Sequence, residues 1–467
     1  MQTEDGGSML NAVLNRVDSG LDGSLERLFA LLRIKSISAD THYRQDCREA
    51  AEWCARALNE IGIEAAVRDT IGHPMVVGHY RGAGAGAPHV LFYGHYDVQP
   101  VDPVGLWDRD PFDPAVVTVN GEARITARGA EDDKGQLMTF VEAARAWVSE
   151  AGRLPVNLTV LFEGEEESAS PSMIPFLTAN AEELRADIAL VCDTSMWDRD
   201  TPAVSTMLRG LLYEEVFIQA ASHDLHSGSY GSAARNPIHV LTKILADMRD
   251  ENGRIAIPDF YDGVPDISPE LKAQWDKLGF DEQNFFGEIG LSIPAGEVGY
   301  STLEQIWARP TAEVNGIVGG YIGEGGKTVI PAKASAKISF RLVGDQDPEA
   351  IRRNFRAFVE ARVPADCRAT FLSHGGDRAI TQPSDSPWVK RAQRALSEEW
   401  GREAVLIAMG GSIPIVTQFK RLLGMDTVLV GFGLEDDRIH SPNEKYNLRS
   451  FHGGIRSWAR ILKTLAE

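Results

Sequence analysis

Two histidines and a set of carboxylates, all following apolar runs or turns, carry the chemistry this sequence offers. "NLTVLFEGEEES" leaves an apolar stretch and presents Glu165, Glu166 and Glu167 in succession. "YGHYDVQP" delivers His95 and Asp97, "GAEDDKG" delivers Asp132 and Asp133, "LVCDTS" delivers Asp193, and "DRIHSP" delivers His440. If these groups met, so many carboxylates would repel one another and hold protons unless a cation lay between them. Imidazole and carboxylate together suit zinc, or a similar ion such as cobalt or manganese. A carboxylate that bridges two neighbouring ions would account for the excess of acids. Each residue alone has an ordinary alternative: a hydrogen-bonded structural histidine at His95, an exposed turn at His440, a solvated acidic tip at the glutamates. Spacing along the chain does not decide between them.

The elements that must position these groups read as an α/β layer. "HVLFYGHYDVQP" contains a buried strand from Val90 to Tyr93 that enters a loop at Gly94, and "LPVNLTVLFEG" and "ADIALVCDTS" are two further strands. Between the first two, "GQLMTFVEAARAWVSEAG" places Leu137, Phe140, Val141, Ala144 and Val148 along one helical face. Alternating strand and helix predicts a mixed, largely parallel sheet with helices on both faces, whose working residues sit in loops at the carboxyl ends of the strands. The character changes near Arg209. "LLYEEVFIQA" and "AKASAKISFRLVG" read as strands of a half-exposed sheet, and "DPEAIRRNFRAFVEARV" as a helix. The expectation is a catalytic domain over residues 1–207 and 384–467, interrupted by an inserted α+β domain over 208–383.

Bulk properties narrow the function classes. The chain has 467 residues, more than a single core usually supports. Its 67 acidic against 47 basic side chains, a net charge of −20, argue against nucleic acid as the main partner. The 4 cysteines, Cys47, Cys54, Cys192 and Cys367, are too scattered for a disulfide scaffold and include no CxxC pair. No apolar run is long enough to span a membrane, and no secretory signal is visible, so cytoplasm is the expected location. "RGAGAGAP" lacks the lysine ending of a phosphate loop and precedes a strand, which makes it a surface turn. His89 and His223 read as structural or surface residues.

Seven segments in order, "YGHYDVQP", "ARGAEDDKGQ", "FEGEEES", "LVCDTS", "DLHSG", "GGSIPIV" and "DRIHSPNEKY", resemble the metal-dependent hydrolases of peptidase family M20. They span residues 93 to 446. The resemblance implies two divalent ions per subunit, zinc first, with manganese or cobalt as substitutes. His95 and Asp193 would bind the first ion, Glu167 and His440 the second, and Asp132 both, with a cis peptide before Asp133. Asp97 would orient His95. Glu166 would be the general base, taking a proton from the attacking water and passing it to the leaving nitrogen. Glu165 receives no role.

The same resemblance extends to the inserted domain, read as a lid that also forms the dimer interface. It implies that His226 reaches the neighbouring subunit's active site to support the tetrahedral oxyanion, and that Arg341 clamps the substrate carboxylate. Asn315 and Thr328 are candidates for the same contacts between subunits, and the loop with Gly411 and Ser412 for the terminal carboxylate. A turn-capping histidine and an exposed ion pair are the bland alternatives for His226 and Arg341. The motifs look most like the branch of cytosolic nonspecific dipeptidase. The expected activity is hydrolysis of dipeptides with a free C-terminal carboxylate. An N-acyl-amino-acid amidohydrolase is the alternative in chemistry, and a noncatalytic scaffold the alternative in class.

Overall fold

Short apolar runs bounded by polar turns become the strands of a mixed sheet in the first of two units. The computed structural model describes residues 2–467. The first unit comprises Met1–Thr206, Gln382–Ile407 and Gln418–Glu467, and the second Met207–Thr381 with Ala408–Thr417.

In the first unit the strands run in the order Glu64–Arg68, Met75–Tyr80, Asn157–Glu163, His89–His95, Ile188–Val191, Thr427–Leu429 and Ala203–Leu208. His89–His95 lies parallel to both Asn157–Glu163 and Ile188–Val191, and Thr427–Leu429 is parallel to Ile188–Val191. Met75–Tyr80 and Glu64–Arg68 are antiparallel additions at the edge. Apart from His89 at the start of its strand, the central strands are buried throughout, as expected where both faces are covered. Helix Lys134–Ala151 is buried nearly all round, and its Phe140 stacks on Phe92 of the sheet at 3.7 Å between ring centroids. Trp458, from helix Leu448–Leu465, meets both rings edge-on at 5.5 Å.

The strand around Phe92 is longer than its apolar run. The ladder continues through Gly94 opposite Phe162 and His95 opposite Glu163, so His95 is the last strand residue rather than part of a loop. Gly94 permits this because a Cβ there would lie 3.0 Å from the Asp133 carboxylate and 3.2 Å from Leu137. Gly135 has the same use in the first turn of helix Lys134–Ala151, where a Cβ would lie 1.8 Å from the Ala130 carbonyl oxygen.

The second unit is built on a four-stranded antiparallel sheet in the order Thr311–Gly319, Lys333–Leu342, Gly210–Gln219, Arg368–Asp377. Gly210–Gln219 and Lys333–Leu342 alternate between buried and more exposed residues. Their inward side chains, including Leu212, Val216, Ile338 and Phe340, form one core with Leu241, Ile351 and Phe355 of helices Pro237–Ala246 and Pro348–Glu360. No helix among the described residues is long and apolar enough to cross a membrane.

Candidate metal centre

Three adjacent parallel strands end together in the first unit, and their carboxyl ends carry the acidic and imidazole groups. His89–His95 ends in His95 and leads to Asp97. Asn157–Glu163 leads to the short turn Glu166–Ser168, and Ile188–Val191 leads to Asp193. Asp132 comes from the loop that opens helix Lys134–Ala151, and the Asp132–Asp133 peptide is cis. His440 arrives from a turn whose residues Arg438, His440 and Asn443 all have positive φ.

Two groups of potential ligands result, and they share one residue. One atom from each of His95, Asp132 and Asp193 lies within 4.8 Å of the others, and so does one from each of Asp132, Glu167 and His440. Asp132 faces both imidazoles, Oδ1 lying 3.1 Å from His95 Nε2 and Oδ2 lying 3.0 Å from His440 Nε2. His440 Nε2 is also 3.2 Å from Glu167 Oε2.

The residues fit divalent ions on more than residue type. His95 Nε2 is buried, and its one close polar neighbour is the Asp132 carboxylate at 3.1 Å. Its other ring nitrogen, Nδ1, is 3.2 Å from the Asp97 carbonyl oxygen and 3.4 Å from the Asp97 carboxylate. A hydrogen on Nδ1 toward Asp97 leaves a lone pair on Nε2, the arrangement of a ligand imidazole with its outer partner. An imidazole nitrogen and a carboxylate oxygen that can each offer a lone pair, buried at such a distance, suit convergence on a common third atom.

Electrostatics point the same way. Burial pushes Glu166 up to about 8, against the pull of His95 and with the charge of Glu167 adding to the rise. Burial also raises Asp193 well above the carboxylate range, and the Asp132 charge adds to it. Burial acts to raise Asp132 too, but hydrogen bonds with His440 and His95 outweigh it and hold the carboxyl below its usual range. His440 is raised to about 10 by its hydrogen bonds with Asp132 and Glu167. Carboxylates that burial and mutual repulsion drive toward protonation, packed against imidazoles, have the electrostatics expected of a cation site.

Other residues hold the ligands in place, and sequence reading missed most of them. The Asp97 carboxylate accepts hydrogen bonds from the backbone N–H groups of Glu166 and Glu167, at 3.2 and 3.0 Å, so it fixes that turn as well as facing His95. Asp133 accepts from the His95 N–H at 3.0 Å. Gln99 Nε2 donates to Glu167 at 2.7 Å. Glu444 is fully buried and braces the Asp132 loop. Its Oε2 accepts from Arg128 at 2.7 Å and the Gly129 N–H at 2.9 Å, and its Oε1 from the N–H groups of Glu131 and Asp132 at 3.0 and 3.2 Å. The one advance signal for Glu444 is its place in "SPNEKY", four residues after His440.

Glu165, left without a role by the sequence, points away from this cluster. It is buried and accepts from the His73 N–H at 2.7 Å and the Ser172 N–H at 3.0 Å, tying two loops together. The bland readings of His89 and His223 agree with their surroundings. His89 meets Thr159 at 2.8 Å and His223 meets Ser222 at 2.9 Å.

The remaining expected site residues belong to the second unit. Arg341 Nη1 donates to Ser412 Oγ at 3.1 Å, which brings the strand Lys333–Leu342 to the Gly411–Ser412 loop. His226 is exposed, and its Nδ1 accepts from the Gly228 N–H at 3.0 Å, the turn-capping contact anticipated as its ordinary alternative. Its free edge, Nε2, makes no hydrogen bond among the described residues. Thr328 lies beside it, accepting from the Ser227 N–H at 3.0 Å through its carbonyl oxygen. Asn315 is exposed at the bulge in strand Thr311–Gly319 and is not joined to these contacts.

Comparison with known proteins agrees with this architecture. The chain is 30% identical over 474 residues to Cys-Gly metallodipeptidase dug1 of Schizosaccharomyces pombe, with 98% of each chain covered. It is 26% identical over 478 residues to the human Beta-Ala-His dipeptidase, covering 98% of this chain and 93% of that one. The solved structure of the dipeptidase Dug1p from Saccharomyces cerevisiae superposes with a TM-score of 0.81 at 26% identity, over 98% of both chains. That of an M20 family metallo-carboxypeptidase from Sulfolobus solfataricus gives 0.81 at 30% identity, over 95% of this chain and 99% of that one. The family model for peptidase family M20/M25/M40 matches residues 91–464, from the strand that carries His95 to the last helix, and the chain belongs to that family.

Proposed function

We propose that the chain is a dinuclear metal-dependent dipeptidase acting on dipeptides with a free C-terminal carboxylate. The observation that carries this reading is the pair of ligand groups joined through Asp132, with Glu166 beside them. The similarity to curated dipeptidases over nearly the whole chain supports the substrate class. In this reading His95 and Asp193 would hold one ion, Glu167 and His440 the other, and Asp132 would serve both. Zinc is the first choice, since imidazole and carboxylate oxygens suit it well, and manganese or cobalt would substitute. Such ions supply a lowered pKa for water and polarisation of the scissile carbonyl.

The chain's own residues do the rest. Glu166, with both carboxylate oxygens free of ligand duty, accepts the proton of the attacking water and returns it to the leaving nitrogen as the C–N bond breaks. Asp97 keeps His95 in one tautomer and anchors the amides of Glu166 and Glu167. Arg341, with Gly411 and Ser412, receives the terminal carboxylate. His226, Asn315 and Thr328 serve across a subunit boundary.

The test is a steady-state comparison of Ala-Ala and Leu-Gly with N-acetyl amino acids, after chelation and reloading with zinc, manganese or cobalt. Dipeptides are expected to be the substrates. Turnover of acylated amino acids alone would replace this reading with the amidohydrolase one.

Metal loading carries a pH signature. His440 must lose its proton to become a ligand, and in the metal-free protein that proton is held up to about pH 10. Below that value protons compete with the metal, so apparent affinity is expected to rise as pH increases from 6 to 9, with protons released on binding. Calorimetric titrations in buffers of different ionisation enthalpy measure that release. A pH-independent affinity without proton release would contradict it.

A homodimer through the second unit is part of the proposal. Strand Thr311–Gly319 is an edge of its sheet, and it exposes Ile317 and Val318 at 53% and 64%, followed by Ile322 at 92%. An exposed apolar edge of this kind calls for a partner. Light scattering is expected to give twice the chain mass, and Ile317→Glu with Val318→Lys to reduce it to one. Cytoplasmic residence is also proposed, supported by free thiols at Cys47, Cys54, Cys192 and Cys367, of which the first three are buried.

A further inference from the structure

Arg209 lies between strands Ala203–Leu208 and Gly210–Gln219, and no sequence motif singled it out as a site residue. It grips the loop at Gly410–Ser412 from several directions. Its backbone N–H donates to the Gly411 carbonyl oxygen at 3.1 Å, and its Nε donates to the Gly410 carbonyl oxygen at 2.9 Å. Its own carbonyl oxygen accepts the Ser412 hydroxyl at 2.6 Å. Nη1 is 3.5 Å from the Arg309 carbonyl oxygen.

These contacts decide what Ser412 can do. A hydroxyl has one hydrogen and two lone pairs. The hydrogen is committed to Arg209, so the oxygen accepts from Arg341 Nη1 at 3.1 Å. Ser412 thus orients the Arg341 guanidinium, and Arg209 sets the Ser412 rotor.

The charges are unusual as well. Neither Arg209 nor Arg341 pairs with a carboxylate among the described residues. Burial brings Arg209 down to about 10, and the nearby positive charge of Arg341 contributes to the fall. Burial lowers Arg341 too. Two part-buried guanidiniums in mutual repulsion are costly to the fold when the one carboxylate acting on Arg209, Glu313, is ion-paired with Arg249 instead. An anionic ligand that supplies the missing charge would recover that cost, and a guanidinium fork matches a carboxylate.

We propose that Arg209 is a positioning residue of the carboxylate subsite, fixing the Gly410–Ser412 loop and adding the second positive charge that makes the subsite select a free C-terminal carboxylate over a neutral amide. The inference rests on the dipeptidase reading and on its placement of Arg341 and Ser412.

The experiment compares a dipeptide with its C-terminal amide in wild type, Arg209→Met and Arg209→Lys, each loaded with the same metal and checked for a wild-type thermal transition. Arg209→Met is expected to raise KM for the dipeptide by about 10- to 100-fold, the scale of one charge-assisted hydrogen bond lost at Arg341 when its Ser412 partner is no longer held, with kcat within about threefold. For the amide, kcat/KM should fall by less than about threefold, so discrimination between the two substrates shrinks. Arg209→Lys keeps the charge without the fork and is expected to fall between. Should Arg209→Met fail to fold, Arg209→Lys carries the test, and wild-type discrimination in that variant would overturn the proposal. Equal losses on acid and amide, or a fall in kcat at unchanged KM, would also overturn it. A wild-type enzyme that turns over no dipeptide would instead bring down the dipeptidase reading, and the subsite with it.

Discussion

Glu166→Gln is expected to lower kcat by about 10²- to 10⁴-fold, the contribution typical of a positioned general base, while metal content and KM change little. The substitution keeps the size and the backbone amide that Asp97 binds at 3.2 Å, and it removes only the basic oxygen. Glu166 is outside both ligand groups, so ion binding should survive. The amide also removes the repulsion between the Glu166 and Glu167 carboxylates, which does not disfavour ion binding at Glu167. Turnover after chelation and reloading, together with elemental analysis of the loaded variant, makes the check. A fully active Glu166→Gln enzyme, shown free of wild type, would transfer the base role to another residue. Loss of metal along with activity would make Glu166 a ligand instead.

Asp132→Asn should cost still more, because Asp132 is shared by both ligand groups. The amide keeps the shape but removes the charge facing His95 at 3.1 Å and His440 at 3.0 Å. Both ions should bind more weakly, by more than the ~10- to 100-fold that loss of an outer hydrogen-bond partner costs. His440→Ala is the matched control. His440 enters only one group, so that variant should keep one ion and lose the other. Metal titration of the chelated proteins, followed by elemental analysis, separates the two results. If Asp132→Asn and His440→Ala lost the same single ion, Asp132 would not be a shared ligand.

Much of the fold was legible because it depends on local pattern. Apolar runs of strand length at 90–93, 157–162 and 188–191, with a helical pattern between the first two, predict adjacent parallel strands, and the sheet pairs them so. In this arrangement polar residues after the strands collect at one end of the sheet, which is where His95, Asp97, Glu166, Glu167 and Asp193 are found. The run "EGEEES" was less legible. Three identical carboxylates in a row have no sequence difference to separate them, yet Glu165 turns inward to two backbone amides while Glu167 faces His440. The choice is made by the turn that begins at Glu166 and by the loop at His73, and neither is encoded in the residue types. The end of the strand at His95 was also hidden, since a glycine normally signals a break and here admits a close neighbour.

By itself the sequence determined the residue types able to bind metal or move a proton, the periodicities that form strands and helices, and the excess of acid that calls for a cation. Tertiary structure alone decided which lone pairs converge. His440 meets Asp132 across 308 residues of chain, and Glu444 reaches the Asp132 amide across 312. Arg209 and Ser412 are 203 residues apart. Such contacts are set by the packing of whole elements, where local propensity carries no information about distance. A hydrogen bond or a ligand set exists only within a few tenths of an ångström, so its membership becomes definite only when the elements are in place.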